Sequence, residues 1–116
     1  MSASIAGFIL RCRDRRATAV FYQTLGLDLL EHAHGGPLHY EMTPYAHDFA
    51  GEIYLRSNNF PNDALMLRVD SVEKALDKVR KLLTTELTGI HESEDGRFVY
   101  VEDPDGRPVM LLEHKG

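Results

Sequence analysis

Residues Ser4 to Arg13 begin with a β-branched and apolar run, Ile5 to Leu10. Phe8, Leu10 and Cys12 fall on one side and Arg11 and Arg13 on the other, the two-residue period of a strand. At Asp14 the period lengthens. Ala17, Val20, Phe21 and Leu25 recur at steps of three and four, which predicts an amphipathic helix with these residues as its stripe, Asp14 as cap and Gly26 as stop. Residues 27–34, 38–42 and 51–56 read as three strands, parted by Gly35-Gly36-Pro37 and by a loop from Thr43 to Ala50 that contains Pro44. The second half repeats the order. Residues 64–69 form a strand, and Val72, Ala75, Leu76, Val79 and Leu83 form a helical stripe opened by Asp70, with Glu73 three residues later. Arg80 and Lys81 close that helix, where cations suit its dipole. Residues 86–91, 97–102 and 108–114 are three further strands, the last two joined by the turn Asp103-Pro104-Asp105-Gly106.

The pattern is therefore β-α-β-β-β twice, and Ile9-Leu10-Arg11 is echoed by Met66-Leu67-Arg68 about half a chain later. One helix and four short strands bury too little to stand alone, so the expectation is a single α+β domain of two modules, about 1–57 and 58–116. A chain of 116 residues, 43% hydrophobic and 27% charged, fits that size. With 13 basic and 18 acidic residues the formal charge is −5, which argues against binding nucleic acid through charge. The single cysteine, Cys12, forms no internal disulfide and builds no thiolate zinc site, which suits a reducing, cytoplasmic setting. No apolar run is long enough for a membrane span.

Two strings carry a family resemblance. Phe21-Tyr22-Gln23-Thr24-Leu25-Gly26-Leu27 and Val101-Glu102-Asp103-Pro104-Asp105-Gly106, the latter running into Val109-Met110-Leu111-Leu112-Glu113, resemble the vicinal oxygen chelate superfamily. That superfamily groups glyoxalase I, extradiol dioxygenases, fosfomycin resistance enzymes and bleomycin resistance proteins. The resemblance implies two tandem βαβββ modules forming curved mixed sheets around a cup-shaped cavity, usually in a homodimer. It further implies four metal ligands, one on the first and one on the last strand of each module. Carried over by position these are Gly7, Tyr54, Ala64 and Leu111, with 57 residues between Gly7 and Ala64 and 57 between Tyr54 and Leu111. Gly, Ala and Leu offer a metal no donor and neutral Tyr is a poor one, so no metal ligand is expected among the four. Bleomycin resistance proteins form a metal-free branch that sequesters a drug without transforming it.

If those four positions face the cavity, strand alternation adds Ile9, Arg11, Glu52, Arg56, Met66, Arg68, Val109 and Glu113 to its wall, and turns Phe8, Leu10, Leu65, Leu67 and Val69 toward the helices. The candidate ligand-binding residues are Arg11, Glu52, Tyr54, Arg56, Met66, Arg68, Leu111 and Glu113. Arg11 lies where glutathione-using relatives set an arginine against a substrate carboxylate. The alternative is that Arg11 and Arg68 neutralise Glu52 and Glu113 on a shared face. His32, His34 and His39 alternate on neighbouring strands, and His39 with Glu41 offers two donors on one face or a solvated strand surface. His47, His91 and His114 read as surface residues, Cys12 as buried packing, and the Asp103/Asp105 pair as turn structure. The expected function is metal-independent binding of a small molecule, with no cofactor. The alternative is a lyase or dioxygenase whose divalent metal is held by displaced donors such as Glu52 and Glu113, aided by a histidine from an adjacent strand. Expected partners are a small molecule and a second copy of the chain, with neither nucleic acid nor membrane.

Overall fold

The computed structural model describes residues 2–33, 36–43, 48–82, 85–94 and 96–114. The elements run β1 (Ala3–Cys12), α1 (Arg15–Thr24), β2 (Asp28–His32), β3 (His39–Thr43), β4 (Ala50–Leu55), β5 (Ala64–Val69), α2 (Val72–Arg80), β6 (His91–Ser93), β7 (Gly96–Glu102) and β8 (Pro108–His114). The chain divides into two compact units, Gly7–Asp63 and Ala64–Gly116 with Met1–Ala6. Among the described residues no helix is long and apolar enough to cross a membrane.

In the unit Gly7–Asp63, β1 pairs with β4 in parallel, β4 with β3 antiparallel, and β3 with β2 antiparallel. Alternation then sorts the strands into two faces. Cys12, Met42 and Ile53 are buried together with Phe8, Leu10, Leu29, Tyr40 and the helix residue Tyr22. Helix α1 starts at Asp14, whose carboxylate accepts from the Ala17 amide at 3.0 Å. Its buried side is not the expected one. Ala19 is buried and Tyr22 joins the core, whereas Val20, Phe21 and Leu25 are 52%, 61% and 69% exposed. Steps of three and four fit the series 15, 18, 19, 22 as well as 17, 20, 21, 25, and the large ring of Tyr22 decides between them by filling the space over Cys12 and Ile53.

In the second unit, β5 pairs with β8 in parallel, and β8–β7 and β7–β6 are antiparallel, the same arrangement again. Val72, Ala75 and Leu76 of α2 are buried against Val69, Val99, Val101 and Leu111, with Leu67, Val79, Ile90 and Val109 packed around them. The helix is capped by Ser71, whose hydroxyl accepts from the Lys74 amide at 3.2 Å, and not by Asp70. Over 86–91 the expected strand is reduced to a bridge between Glu86 and Val101, and the edge strand proper is His91–Ser93. The Leu87 amide still donates to Tyr100 at 2.9 Å, and the Thr88 hydroxyl takes the Tyr100 amide at 3.1 Å, which replaces a ladder rung by a side chain. Leu83, Pro44, His34 and His47, named above, lie outside the described residues.

The turn after β7 is held by one carboxylate. Asp103 accepts from the Asp105 and Arg107 amides, both at 2.9 Å, and pairs with the Arg107 guanidinium at 3.2 Å, while Gly106 takes φ +84°. The Arg107 amide, then its guanidinium and the Asp105 amide, hold the Asp103 carboxyl below its ordinary pKa despite some loss of hydration. A depressed carboxyl adds stability above its unfolded pKa and loses it as pH falls through the folded one. Asp103→Ala should therefore lower the melting temperature at neutral pH, and the gap to the parent protein should close as the medium is acidified below the usual carboxylate range. A gap independent of pH would assign the effect to the backbone alone.

Candidate functional site

Within one eight-stranded sheet, β2, β3, β4 and β1 make up the first sheet and β5, β8, β7 and β6 the second, and the face of the first turned away from Tyr22 carries the chemistry. Registered neighbours share a face, so Arg11 lies beside Tyr54 across β1 and β4, and His39 beside His32 across β3 and β2. These four make one row. The His39 ring stacks on Tyr54 with centroids 4.4 Å apart and planes 11° from parallel, and the His32 ring lies 6.2 Å beyond. At the other end the Arg11 guanidinium sits 4.7 Å over Tyr54 and 5.0 Å over Phe60. Its Nη1 donates to the Leu55 carbonyl at 3.3 Å, and its amide donates to Asp63 at 2.7 Å. Arg56 closes the same corner, donating from Nε to the Arg11 carbonyl at 3.4 Å.

The adjoining row is Ile9, Glu52, Glu41 and Leu30. Glu41 and Glu52 stand directly opposite each other on β3 and β4, their side chains only 14% and 15% exposed. Between the rows lies the His39 imidazole, 1% exposed, with Nε2 3.5 Å from Glu52 and 3.8 Å from Glu41. Its Nδ1 faces the Pro37 carbonyl at 3.2 Å, which fixes the proton on that nitrogen. One ligand atom from each of His39, Glu41 and Glu52 falls within 4.8 Å of the others, the arrangement of a group able to hold a metal ion. Burial alone would depress the His39 pKa. The Glu52 carboxylate, the Pro37 carbonyl and the negative charges of Glu52 and Glu41 outweigh it and hold the imidazole above its ordinary value.

Several expected wall residues lie elsewhere. Leu111 pairs with Val99 and Leu67 and is buried against α2, so Leu111, Val109 and Glu113 belong to the helix side of the second sheet, and Met110 and Leu112 to the opposite side. The Glu113 carboxylate accepts from the Val72 amide at 2.9 Å, at the start of α2. It is thus a helix-terminus partner and no companion of Glu52. The cause is one extra residue: 43 residues separate the registered pair Ile9 and Glu52, and 44 separate Met66 and Met110. The equal spacing of 57 in the sequence concealed that insertion. Met66 and Arg68 do lie on the side away from α2. Arg11 rests on aromatic rings where the alternative reading paired it with a glutamate. His39 is fully buried and not a solvated strand residue. His91 and His114 are exposed, and the buried Cys12 thiol donates to the Tyr54 carbonyl at 3.4 Å.

No protein-family model matches the sequence, and no curated protein does. Solved structures match over nearly the whole chain. A glyoxalase/bleomycin resistance protein/dioxygenase superfamily member from Vibrio splendidus 12B01 aligns with 98% of this chain and 100% of its own, at a TM-score of 0.67 and 11% identity. The chain has the vicinal oxygen chelate fold. Two further proteins superpose over similar spans. A hypothetical protein from Bacillus halodurans C-125 covers 100% of this chain and 97% of its own, at TM-score 0.76 and 13% identity. A methylmalonyl-CoA epimerase from Streptomyces coelicolor covers 97% and 95%, at TM-score 0.70 and 16% identity.

The vicinal oxygen chelate fold implies a metal, and the residues carried over for it do not fit one. At Gly7 the backbone takes φ +147°, and an added Cβ would lie 1.8 Å from the Ala50 carbonyl oxygen. No side chain of any kind has room there. Ala64 is a buried methyl, and Leu111, Met110 and Leu112 supply no nitrogen or oxygen. Tyr54 is committed to stacking between His39 and Arg11. What sequence reading undervalued is His39 and Phe60. His39 reaches Tyr54 only through the β3–β4 register, and Phe60 comes from an irregular segment with no period to announce it.

Proposed function

We propose that this protein binds a small aromatic anion on the face of its first sheet turned away from α1, with Arg11 and Tyr54 as the principal contacts and no metal at the four family positions. The observation that carries the reading is the Arg11 guanidinium held over two rings, 4.7 Å from Tyr54 and 5.0 Å from Phe60. Stacking fixes the direction of the guanidinium fork, and such a fork matches a carboxylate with two parallel hydrogen bonds. Tyr54 offers an adjoining ring for a flat ligand. Glu52 and Arg56 border these two residues. Sequestration, carriage or sensing would use such a site without bond-making. A homodimer belongs to the same proposal, and sedimentation equilibrium at micromolar concentration should return twice the chain mass.

Titration calorimetry with benzoate, phenylacetate and salicylate on EDTA-treated protein should give saturable binding to at least one of them. In Arg11→Met, which keeps the stacked aliphatic length, affinity should fall about tenfold to a hundredfold, the effect of losing charge-assisted hydrogen bonds. Absence of saturable binding, or an Arg11→Met protein that binds equally well, overturns the reading. Loss of binding on chelation would overturn its metal-independent part.

A further inference from the structure

We infer that His39, Glu41 and Glu52 bind one divalent transition-metal ion on the face of the first sheet turned away from α1, away from the four positions the fold family uses. This goes beyond the ligand-binding reading and does not depend on it.

The register makes the two carboxylates face each other on adjacent strands, and both are largely withdrawn from water. Like charges directly opposed across a strand pair destabilise it, and buried carboxylates require a cation. The His39 imidazole is placed to share that cation. Its Nδ1–H donates to the Pro37 carbonyl, so Nε2 is the ring nitrogen directed at Glu41 and Glu52. A carbonyl on the far nitrogen is the usual orienting partner of a metal-bound histidine. Stacking on Tyr54 holds the ring in plane as well.

The distances also match those between donors that share one ion. An N–H···O bond is shortest and strongest near 2.9–3.0 Å. Nε2 stands 3.5 Å and 3.8 Å from the two carboxylate oxygens. Two donors each about 2.1 Å from one tetrahedral ion lie roughly 3.4 Å apart, closer to what is seen. One nitrogen and two oxygen donors suit zinc, manganese or ferrous iron. Three protein ligands leave the remaining positions to solvent or substrate. His32, with Nε2 3.9 Å from Glu41, borders the group from β2.

The test uses the full chain without a polyhistidine tag, stripped with EDTA and dialysed. Calorimetric titration with zinc chloride and with manganese chloride should show one ion per chain for at least one metal. Glu41→Gln and Glu52→Gln, each confirmed folded by circular dichroism, should each weaken binding at least tenfold. Arg80→Met, on α2 and outside both sites, should bind the ion as tightly as the parent. Imidazole nitrogen spectra of the parent protein supply a readout that needs no variant, since zinc should move the His39 Nε2 resonance. No stoichiometric ion, unchanged affinity in both glutamine variants, or zinc shifts confined to other histidines would overturn the inference.

Discussion

Gly96→Ala should destabilise the protein by about 3 kcal/mol or more, at the upper end of what a single added methyl does. The reason is local to β7 and β8. Gly96 takes φ +146°, and a Cβ there would lie 2.0 Å from the Glu113 carbonyl oxygen, 2.9 Å from its carbonyl carbon and 2.9 Å from the His114 Cα. All three obstacles are backbone atoms of a paired strand, so no rotamer change relieves them. Total stabilities of small domains are about 5–15 kcal/mol, so the loss is a large share of the whole. Urea unfolding should show the midpoint falling by roughly 1–3 M for an ordinary slope. A midpoint within a few tenths molar of the parent would mean that β8 can draw back from residue 96.

Ile53→Ala should cost about 2–5 kcal/mol. Ile53 is fully buried among Cys12, Met42, Phe8, Leu10 and Tyr40. Truncation removes a branched side chain from beneath α1, and β4, paired on both edges, collapses poorly into the gap. The position also tests the two-faced character of the strand, because Glu52 and Tyr54 flank it and point the other way. In the absence of denaturant the variant should retain the parent's imidazole resonance for His39 while unfolding at lower urea. A loss under 1 kcal/mol would show that the helix side of β4 is loosely filled.

Element positions were legible wherever one side of an element is plainly apolar and punctuation is strong. The β5 bounds at Ala64 and Val69, the β8 bounds at Pro108 and His114, the N-cap at Asp14 and the stop at Gly26, just after the C-cap Leu25, all follow from period and turn chemistry. Phase and register were less so. The α1 stripe is not legible because the more buried series Arg15, Thr18, Ala19 and Tyr22 is more polar than Ala17, Val20, Phe21 and Leu25, and only the fit of Tyr22 against Cys12 and Ile53 chooses it. Leu111 and Glu113 were turned to the wrong side because a one-residue insertion reverses every side chain after it. The row from Arg11 through Tyr54 to His39 was half visible. Arg11 and Tyr54 follow from strand parity, whereas His39 enters through the pairing of β3 with β4, which no single stretch of sequence encodes.

The contact between residue 7 and the Ala50 carbonyl also bears on how such a chain could change its chemistry over generations. A histidine introduced at position 7 would meet backbone before it met a metal, so a ligand placed there lowers stability and gains nothing in return. The strand would have to be re-spaced beforehand, by a change that has no benefit of its own. Glu52, Glu41 and His39 impose no such order of events: each is already accommodated, and further donors on β2 or β3 can be tried one at a time. Metal chemistry is therefore easier to reach by elaborating the β3–β4 pair than by placing a ligand at position 7.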